Sequence, residues 1–202
     1  SLIVTGVRRV LFRSAVGKTV MAAAAENLVP VILELGGKSP VLVHPSIDLQ
    51  DVAERVAVGK LWNAGQTCVA PDYLFLPRGK AQEFIERFRA CAEAMYPDLA
   101  SNQDYTSIIN DKQYRRLQGY LDNARAQGAQ IAEINPQNED LAAARKIAPT
   151  LLTDVTPDMA IMQHEIFGPL LPIMEYDQID DVIDFINSRP RPLALYYFDF
   201  DQ

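Results

Sequence analysis

The sequence has few of the residues on which several common protein classes depend. Its 202 residues include only two cysteines, Cys68 and Cys91, and two histidines, His44 and His164. Two cysteines make no disulfide framework, and these four residues lack the spacing of a zinc site. We therefore expect no metal and a reducing, cytoplasmic setting. The net charge of −7 disfavours a nucleic-acid partner, and no apolar run approaches the roughly 18 residues that cross a bilayer.

The composition otherwise suits a globular α/β protein, since apolar residues make up 49% of the chain. Short β-branched segments alternate with segments of helical periodicity, which predicts a layered sheet with flanking helices. The predicted strands cover residues 30–35, 40–43, 73–76, 146–152, 170–174 and 193–198. The predicted helices cover residues 48–62 with Asp48 as N-cap, 81–95, 111–126 and 179–187, with one or two further turns after residues 156–158.

Glu34 and Cys68 are the two residues whose positions suggest chemistry. Glu34 ends the predicted buried strand at residues 30–35, just before two glycines, and Cys68 lies in the loop at residues 63–71. A cysteine is a nucleophile only as a thiolate, and a carboxylate acts as a base when partial burial raises its pKa. Taken alone, each residue has a more ordinary interpretation, as a packing thiol and a solvated carboxylate.

The residues around this pair resemble signatures of the aldehyde dehydrogenase superfamily. Residues 33–40 (LELGGKSP) resemble its glutamate signature, residues 62–68 (WNAGQTC) its cysteine signature, and residues 165–169 (EIFGP) its cofactor-contacting segment. The three stretches occur in the family's order and at its usual spacing. The resemblance extends over nearly the whole chain from Ser14 onward.

The resemblance implies oxidation of an aldehyde to a carboxylic acid with NAD or NADP as cofactor. Cys68 would attack the carbonyl carbon, and its own backbone N–H and an upstream asparagine of the family would hold the oxyanion. Hydride transfer would leave a thioester, which a water deprotonated by Glu34 would hydrolyse. Glu165 would bind the nicotinamide ribose, and Phe167 would pack near the nicotinamide. Lys38 and Ser39 are interpreted as structural, and Cys91 as a packing residue of the 81–95 helix.

The resemblance also implies a domain division. Residues 30–202 match the catalytic domain, with its C-terminal part missing, and residues 1–29 match a remnant of the dinucleotide-binding domain. We therefore expect an internal fragment, incomplete at both ends and inactive by itself. Residues 7–13 match no family element and are interpreted as an insertion or a sequence artefact. The full-length enzyme is expected to be a homo-oligomer with no membrane span.

Three further stretches favour one branch of the family. Residues 70–73, 104–110 and 187–197 resemble the fatty, aromatic and coniferyl aldehyde dehydrogenases, which predicts a hydrophobic or aromatic aldehyde such as coniferyl aldehyde. Two alternatives remain. The chain is a non-catalytic remnant of the same fold, because fold does not imply function; or it is a CoA-acylating dehydrogenase, against which the water activator Glu34 argues.

Overall fold

The computed structural model describes residues 14–200, with side chains from residue 17 onward. Backbone contacts divide the chain into two units, one ending at Gly36 and one beginning at Gly37. The domain boundary predicted between residues 29 and 30 stays a prediction. The predicted insertion at residues 7–13 lies outside the described residues.

The first unit contains helix α1 (Ser14–Glu26) followed by a coil. The predicted buried strand at residues 30–35 is wrong, because these residues form no strand, Ile32 is 92% exposed and Glu34 is also exposed. A strand needs a neighbour for its backbone N–H and C=O groups. Within the described part of this unit there is no second strand. The segment instead packs on α1, where the Leu35 side chain comes within contact distance of a Cβ placed on Gly17.

The second unit contains a mixed sheet that confirms the predicted α/β class. Its described strands are β1 (Pro40–Val43), β2 (Tyr73–Pro77), β3 (Gln130–Glu133), β4 (Thr150–Thr153), β5 (Leu170–Tyr176) and β6 (Tyr196–Phe198). Their spatial order is β3-β4-β5-β2-β1-β6. Only β3 and β4 pair antiparallel, and the other neighbours are parallel. Parallel strands are typically covered on both faces, and helices fill that role here.

The helices form two layers around this sheet. They are α2 (Leu49–Leu61), a 3₁₀ helix (Trp62–Gly65), α3 (Ala81–Met95), α4 (Asp111–Ala126), α5 (Ala160–Gln163) and α6 (Ile179–Asn187). Val41 and Val43 of β1 pack with the buried faces of α2 and α3. Leu42, between them, points to the opposite core, which contains residues of α4 and α6. This alternation along one strand produces a three-layer arrangement.

Helix α2 shows why the sequence predicts these elements well. The Asp48 side chain accepts a hydrogen bond from the Gln50 backbone N–H at 2.8 Å, which confirms the predicted N-cap. The predicted apolar face is also confirmed, since all five of its members are buried: Leu49, Val52, Ala53, Val56 and Ala57. The helices predicted at residues 81–95, 111–126 and 179–187 have the predicted limits.

Three strands differ from prediction: the two outermost strands, β3 and β6, and β4 next to β3. Strand β3 was not predicted, because its sequence QIAE has little β-branched character and its place is the sheet edge. The strands predicted at residues 146–152 and 193–198 are confirmed only over their later parts, as β4 and β6. No helix among the described residues is long and apolar enough to cross a membrane.

Candidate active site

Parts of all three motif segments meet where the parallel strands of the sheet begin. Residues 37–39 precede β1, residues 63–72 precede β2, and residues 165–169 precede β5. These three strands are adjacent and parallel, in the order β5-β2-β1. Loops that enter neighbouring parallel strands lie at the same edge, so distant parts of the chain converge there.

The segment at residues 63–72, called here the cysteine loop, begins in an unusual backbone conformation. Asn63, Ala64 and Gly65 have φ values of 53°, 50° and 72°, three consecutive residues in the left-handed region. Such a conformation costs about 1–3 kcal/mol at a residue other than glycine and persists only where its surroundings enforce it. The side chain of Gln66 supplies part of that support. Its Oε1 accepts from the Ile109 N–H at 2.9 Å, and its Nε2 donates to the Ser107 carbonyl at 3.0 Å.

Cys68 lies exposed in a tight turn at the end of this loop. The turn is closed by a hydrogen bond of 3.2 Å from the Ala70 N–H to the Thr67 carbonyl. Tyr196 of β6 holds the same turn from outside, because its hydroxyl donates to the Val69 carbonyl at 2.6 Å. Burial raises the pKa of Tyr196, with a smaller contribution from Cys68. The Cys68 thiol is therefore exposed on a turn that hydrogen bonds hold from within the loop and from β6.

The cysteine loop packs directly against the residues 165–169 segment. A side chain on Gly65 would collide with the Gly168 carbonyl, so the two backbones touch at a point that only glycine permits. Phe167, next to Gly168, has φ 51° and is half-buried. A bulky residue in the left-handed region is a marked outlier that persists only where its surroundings enforce it.

Glu165 and its backbone are held from two directions. Its Oε1 accepts from the Gly37 N–H at 3.2 Å. From α4, the half-buried Arg116 guanidinium donates to the Glu165 carbonyl at 3.3 Å and to the Ile166 carbonyl at 2.6 Å. The structure thus brings Cys68, Glu165 and Phe167 into one site region of the second unit.

A group of buried charges lies behind these loops. Lys38 forms an ion pair with Asp72 at 2.7 Å, and Lys60 donates to the Pro71 carbonyl at 2.9 Å. Burial lowers the pKa of Lys38, and Asp72 opposes this effect. Burial also lowers the pKa of Lys60, to about 8. The Lys38 ammonium also donates to the Ile161 carbonyl of α5 at 2.8 Å, which agrees with the interpretation of Lys38 as a structural residue.

The other two sequence candidates have different environments. Glu34 belongs to the first unit, where it is exposed in the coil that follows α1. Cys91 lies on α3, as predicted, and packs partly buried beside one hydrophobic core. Burial raises the pKa of Cys91, which disfavours its thiolate.

An open groove of about 540 Å³ begins beside the cysteine loop. Trp62, which is 71% exposed, lies on its wall. Half of the lining residues are apolar or aromatic, and Asp104 is the lining residue that carries a carboxylate. The full lining is Val58, Trp62, Asn63, Thr67, Met95, Tyr96, Asp104 and Thr106.

Comparison with known proteins agrees with this geometry. The sequence model of the aldehyde dehydrogenase family matches residues 5–198, nearly the whole chain. The chain belongs to the aldehyde dehydrogenase family. Coniferyl aldehyde dehydrogenase of a Pseudomonas species is 52% identical over 190 residues, a match that covers 93% of this chain and 40% of that protein.

Solved structures of the aldehyde dehydrogenase family share the fold. Substrate-bound AldH of Staphylococcus aureus has a TM-score of 0.84 and 44% identity, covering 93% of this chain and 40% of that one. An aldehyde dehydrogenase of Mycobacterium tuberculosis complexed with NAD⁺ has a TM-score of 0.81 and 32% identity, with coverages of 93% and 39%. The chain thus spans about two-fifths of the length of the relatives that it matches.

Sequence reasoning missed three residues that shape this candidate site. Arg116 lies in a charged helix without any local signature, and Tyr196 lies in a stretch that indicated only a branch of the family. Asp72 belongs to another such stretch, yet it is 3% exposed and ion-paired. Only the buried carboxylate could have been suspected from sequence, because a charge just before an apolar strand needs a partner.

Proposed function

We propose that the protein is an NAD- or NADP-dependent dehydrogenase that oxidises a hydrophobic or aromatic aldehyde to its acid. The packing of the cysteine loop against the Glu165 segment, through Gly65 and Gly168, is the main support, because it joins the two segments that carry the proposed nucleophile and the proposed ribose contact. Cys68 and Glu34 are the proposed catalytic residues, and Glu165 and Phe167 the proposed cofactor contacts. We also propose that the complete protein is a homo-oligomer, on the basis of the resemblance. We propose a cytoplasmic setting, which two free cysteines suit.

The proposed reaction proceeds through a covalent bond to Cys68. The thiolate adds to the aldehyde carbon, and the Cys68 N–H stabilises the oxyanion of the thiohemiacetal. A nicotinamide cofactor held by Glu165 and Phe167 would supply the two-electron oxidation of that carbon. Cys68 then carries the acyl group as a thioester. Glu34 takes a proton from water, the hydroxide adds to the thioester, and the acid leaves as the Cys68 thiolate is regenerated.

The residues of the Glu165 segment fit the nicotinamide half of a dinucleotide. A carboxylate accepts hydrogen bonds from hydroxyl groups, so Glu165 is suited to a ribose. Its hydrogen bond from the Gly37 N–H fixes the orientation of that carboxylate. The ring of Phe167, held in a left-handed backbone, gives an apolar surface for a planar ring.

The groove supports the proposed substrate class. Its apolar and aromatic wall, which includes Trp62 and Tyr96, suits an aromatic or long aliphatic chain. The relative named coniferyl aldehyde dehydrogenase suggests coniferyl aldehyde as a first compound to test. Asp104 in the same wall disfavours aldehydes that carry a second, negatively charged group.

The test is aldehyde oxidation by the complete natural protein that contains this chain, followed by reduced-cofactor absorbance. Cys68→Ala is expected to lower kcat about a thousandfold or more, because no other group replaces the nucleophile. Cys91→Ala is the matched control and should change kcat less than about twofold, because Cys91 is a packing residue on α3. A dead Cys91 variant beside an active Cys68 variant would reverse the assignment.

The same assay separates the two alternatives. A parent protein that turns over no aldehyde with either cofactor would favour a non-catalytic remnant of the fold. Adding CoA distinguishes the acylating reaction, because water as acceptor gives the free acid whereas CoA gives a thioester product. We expect the free acid, with no dependence of the rate on CoA.

A further inference from the structure

Asp72 lies where the three motif segments of the second unit meet. It follows the cysteine loop directly and precedes β2, and only 3% of it is exposed. Its backbone N–H donates to the Ser39 carbonyl at 2.8 Å. Its position is therefore fixed relative to the end of the glutamate signature.

The two carboxylate oxygens of Asp72 have different partners. Oδ2 accepts from the Lys38 ammonium at 2.7 Å, and Oδ1 accepts from the Ile166 N–H at 3.0 Å. Ile166 follows Glu165, whose own carboxylate accepts from the Gly37 N–H. One carboxylate thus joins Lys38, next to Gly37, to the residue after Glu165.

We propose that Asp72 is a positioning residue for the cofactor site. It keeps the Glu165 carboxylate within hydrogen-bond distance of the Gly37 N–H and keeps the Glu165 segment next to the cysteine loop. This rests on the proposed function, in which Glu165 binds the nicotinamide ribose. Asp72 itself touches neither cofactor nor substrate in this proposal. It acts through the Ile166 N–H and through Lys38, so its loss shifts Glu165 without removing it.

A carboxylate is required at this position because both partners are donors. Asparagine has the same shape but only one acceptor oxygen, and its NH₂ group is itself a donor. In Asp72→Asn, either the Ile166 N–H or the Lys38 ammonium must therefore face an NH₂ group. A buried donor left without an acceptor is costly, so the segment at residues 165–166 is expected to move.

The double variant Lys38→Met/Asp72→Asn tests this reasoning further. Without the ammonium, the single amide oxygen of asparagine is available to the Ile166 N–H. The double substitution removes the Lys38 ammonium together with the Asp72 charge, and Lys60 keeps its hydrogen bond to the Pro71 carbonyl. This variant therefore reduces the folding defect that Asp72→Asn alone risks. The cofactor KM and the Ile166 amide exchange rate of the double variant should therefore be closer to those of the parent than the values of Asp72→Asn are.

The experiment measures steady-state kinetics and amide hydrogen exchange on the complete natural protein. Asp72→Asn is expected to raise the KM for the cofactor about tenfold and to change the KM for the aldehyde less than about twofold. Exchange of the Ile166 and Gly37 amides should accelerate about tenfold, with exchange in the middle of β2 unchanged. Asp177→Asn, which breaks the exposed pair with Arg78, is the control and should leave all these quantities unchanged.

Three outcomes would overturn the proposal. The first is an unchanged cofactor KM in a folded Asp72→Asn protein. The second is a double variant whose cofactor KM is raised by the full product of the Asp72→Asn and Lys38→Met effects. Failure of the proposed function is distinguishable, because a parent without aldehyde oxidation still gives the exchange rates. Slow exchange at Ile166 and Gly37 in Asp72→Asn would then overturn the positioning role independently.

Discussion

Glu34 and Glu165 both belong to family signatures, but their surroundings differ. Glu165 is half-buried, accepts from the Gly37 N–H, and has its backbone carbonyl bound by Arg116. Glu34 is exposed in the coil of the first unit. A fixed carboxylate suits ligand binding, so the contacts of Glu165 support its proposed role. The exposed Glu34 lacks the partial burial expected of a base, so its proposed role rests on the family signature.

The proposed division of roles predicts different kinetic defects for two substitutions of the same kind. Glu34→Gln removes the proposed base of thioester hydrolysis, so a burst of reduced cofactor should precede a slowed steady state. Glu165→Gln weakens cofactor positioning before hydride transfer, so its rate should fall without a burst. Stopped-flow absorbance of the reduced cofactor measures both.

The control for these two variants is Glu26→Gln, an exposed glutamate at the end of α1. It removes one negative charge from the first unit and should leave both phases unchanged. Equal losses without a burst in the Glu34 and Glu165 variants would contradict separate roles.

At the scale of elements, periodicity predicts what is locally determined. The limits of α3, α4 and α6 follow from apolar spacing, so the sequence predicts them. The β-branched pattern of residues 30–35 wrongly predicted a strand, because strand formation depends on a neighbouring strand elsewhere in the chain. The left-handed stretch at residues 63–65 was also missed, because only its glycine signals such a conformation.

The candidate site shows the same limit. The motifs and their spacing pointed to Cys68, Glu165 and Phe167, which the structure places in one region. The supporting contacts of Arg116 and Tyr196 end on backbone carbonyls of distant segments. A carbonyl is common to every residue, so such contacts leave no pattern in the sequence.

The glycine contact between the two loops gives a prediction at this scale. Gly65→Ala is expected to reduce the free energy of unfolding by about 2–5 kcal/mol, because the methyl group meets the Gly168 carbonyl in a left-handed backbone. Urea unfolding measures the loss, and the rate of Cys68 alkylation by iodoacetamide reports the changed loop.

Gly79→Ala is the matched control for the backbone conformation. Gly79 has φ 81°, but a Cβ there would meet no atom within 4 Å. Its substitution should cost only about 1–2 kcal/mol and leave the alkylation rate unchanged. If the two substitutions reduced the free energy of unfolding equally, the contact between Gly65 and Gly168 would contribute nothing to stability.

At the scale of the whole molecule, the sheet topology assembles the site from distant segments. Because β5, β2 and β1 are parallel neighbours, the loops before them converge at one edge. The same convergence encloses charged groups, since Lys38, Lys60 and Asp72 lie behind the loops. Burial lowers the pKa of both lysines, although the nearby carboxylates of Asp72 and Glu165 oppose this effect. Folding stability should therefore depend on pH in the range where these lysines lose their protons.

Lys60 gives this dependence a sign and a range. Burial lowers its folded-state pKa to about 8, below the ordinary 10.5, so between these values the unfolded chain holds the extra proton. The free energy of unfolding then rises with pH, by at most about 1.4 kcal/mol per pH unit for one group. From pH 7 to 9.5, we expect the parent to gain about 1–2 kcal/mol relative to Lys60→Met. Urea unfolding at half-unit pH steps, followed by the fluorescence of Trp62, measures the difference.

Subtracting the variant removes other titrations from this measurement. Burial also raises the pKa of Cys91 and raises that of Tyr73 to about 12, so these groups reduce stability at high pH in both proteins equally. Lys80→Met is the control, because the exposed Lys80 pairs with Glu83 at the surface and should leave the slope unchanged. A parent and a Lys60→Met protein with parallel stability curves from pH 7 to 9.5 would show that Lys60 keeps its proton inside the fold. The asparagine and methionine substitutions at Asp72 and Lys38 would then have to be interpreted with a permanently charged Lys60 beside them.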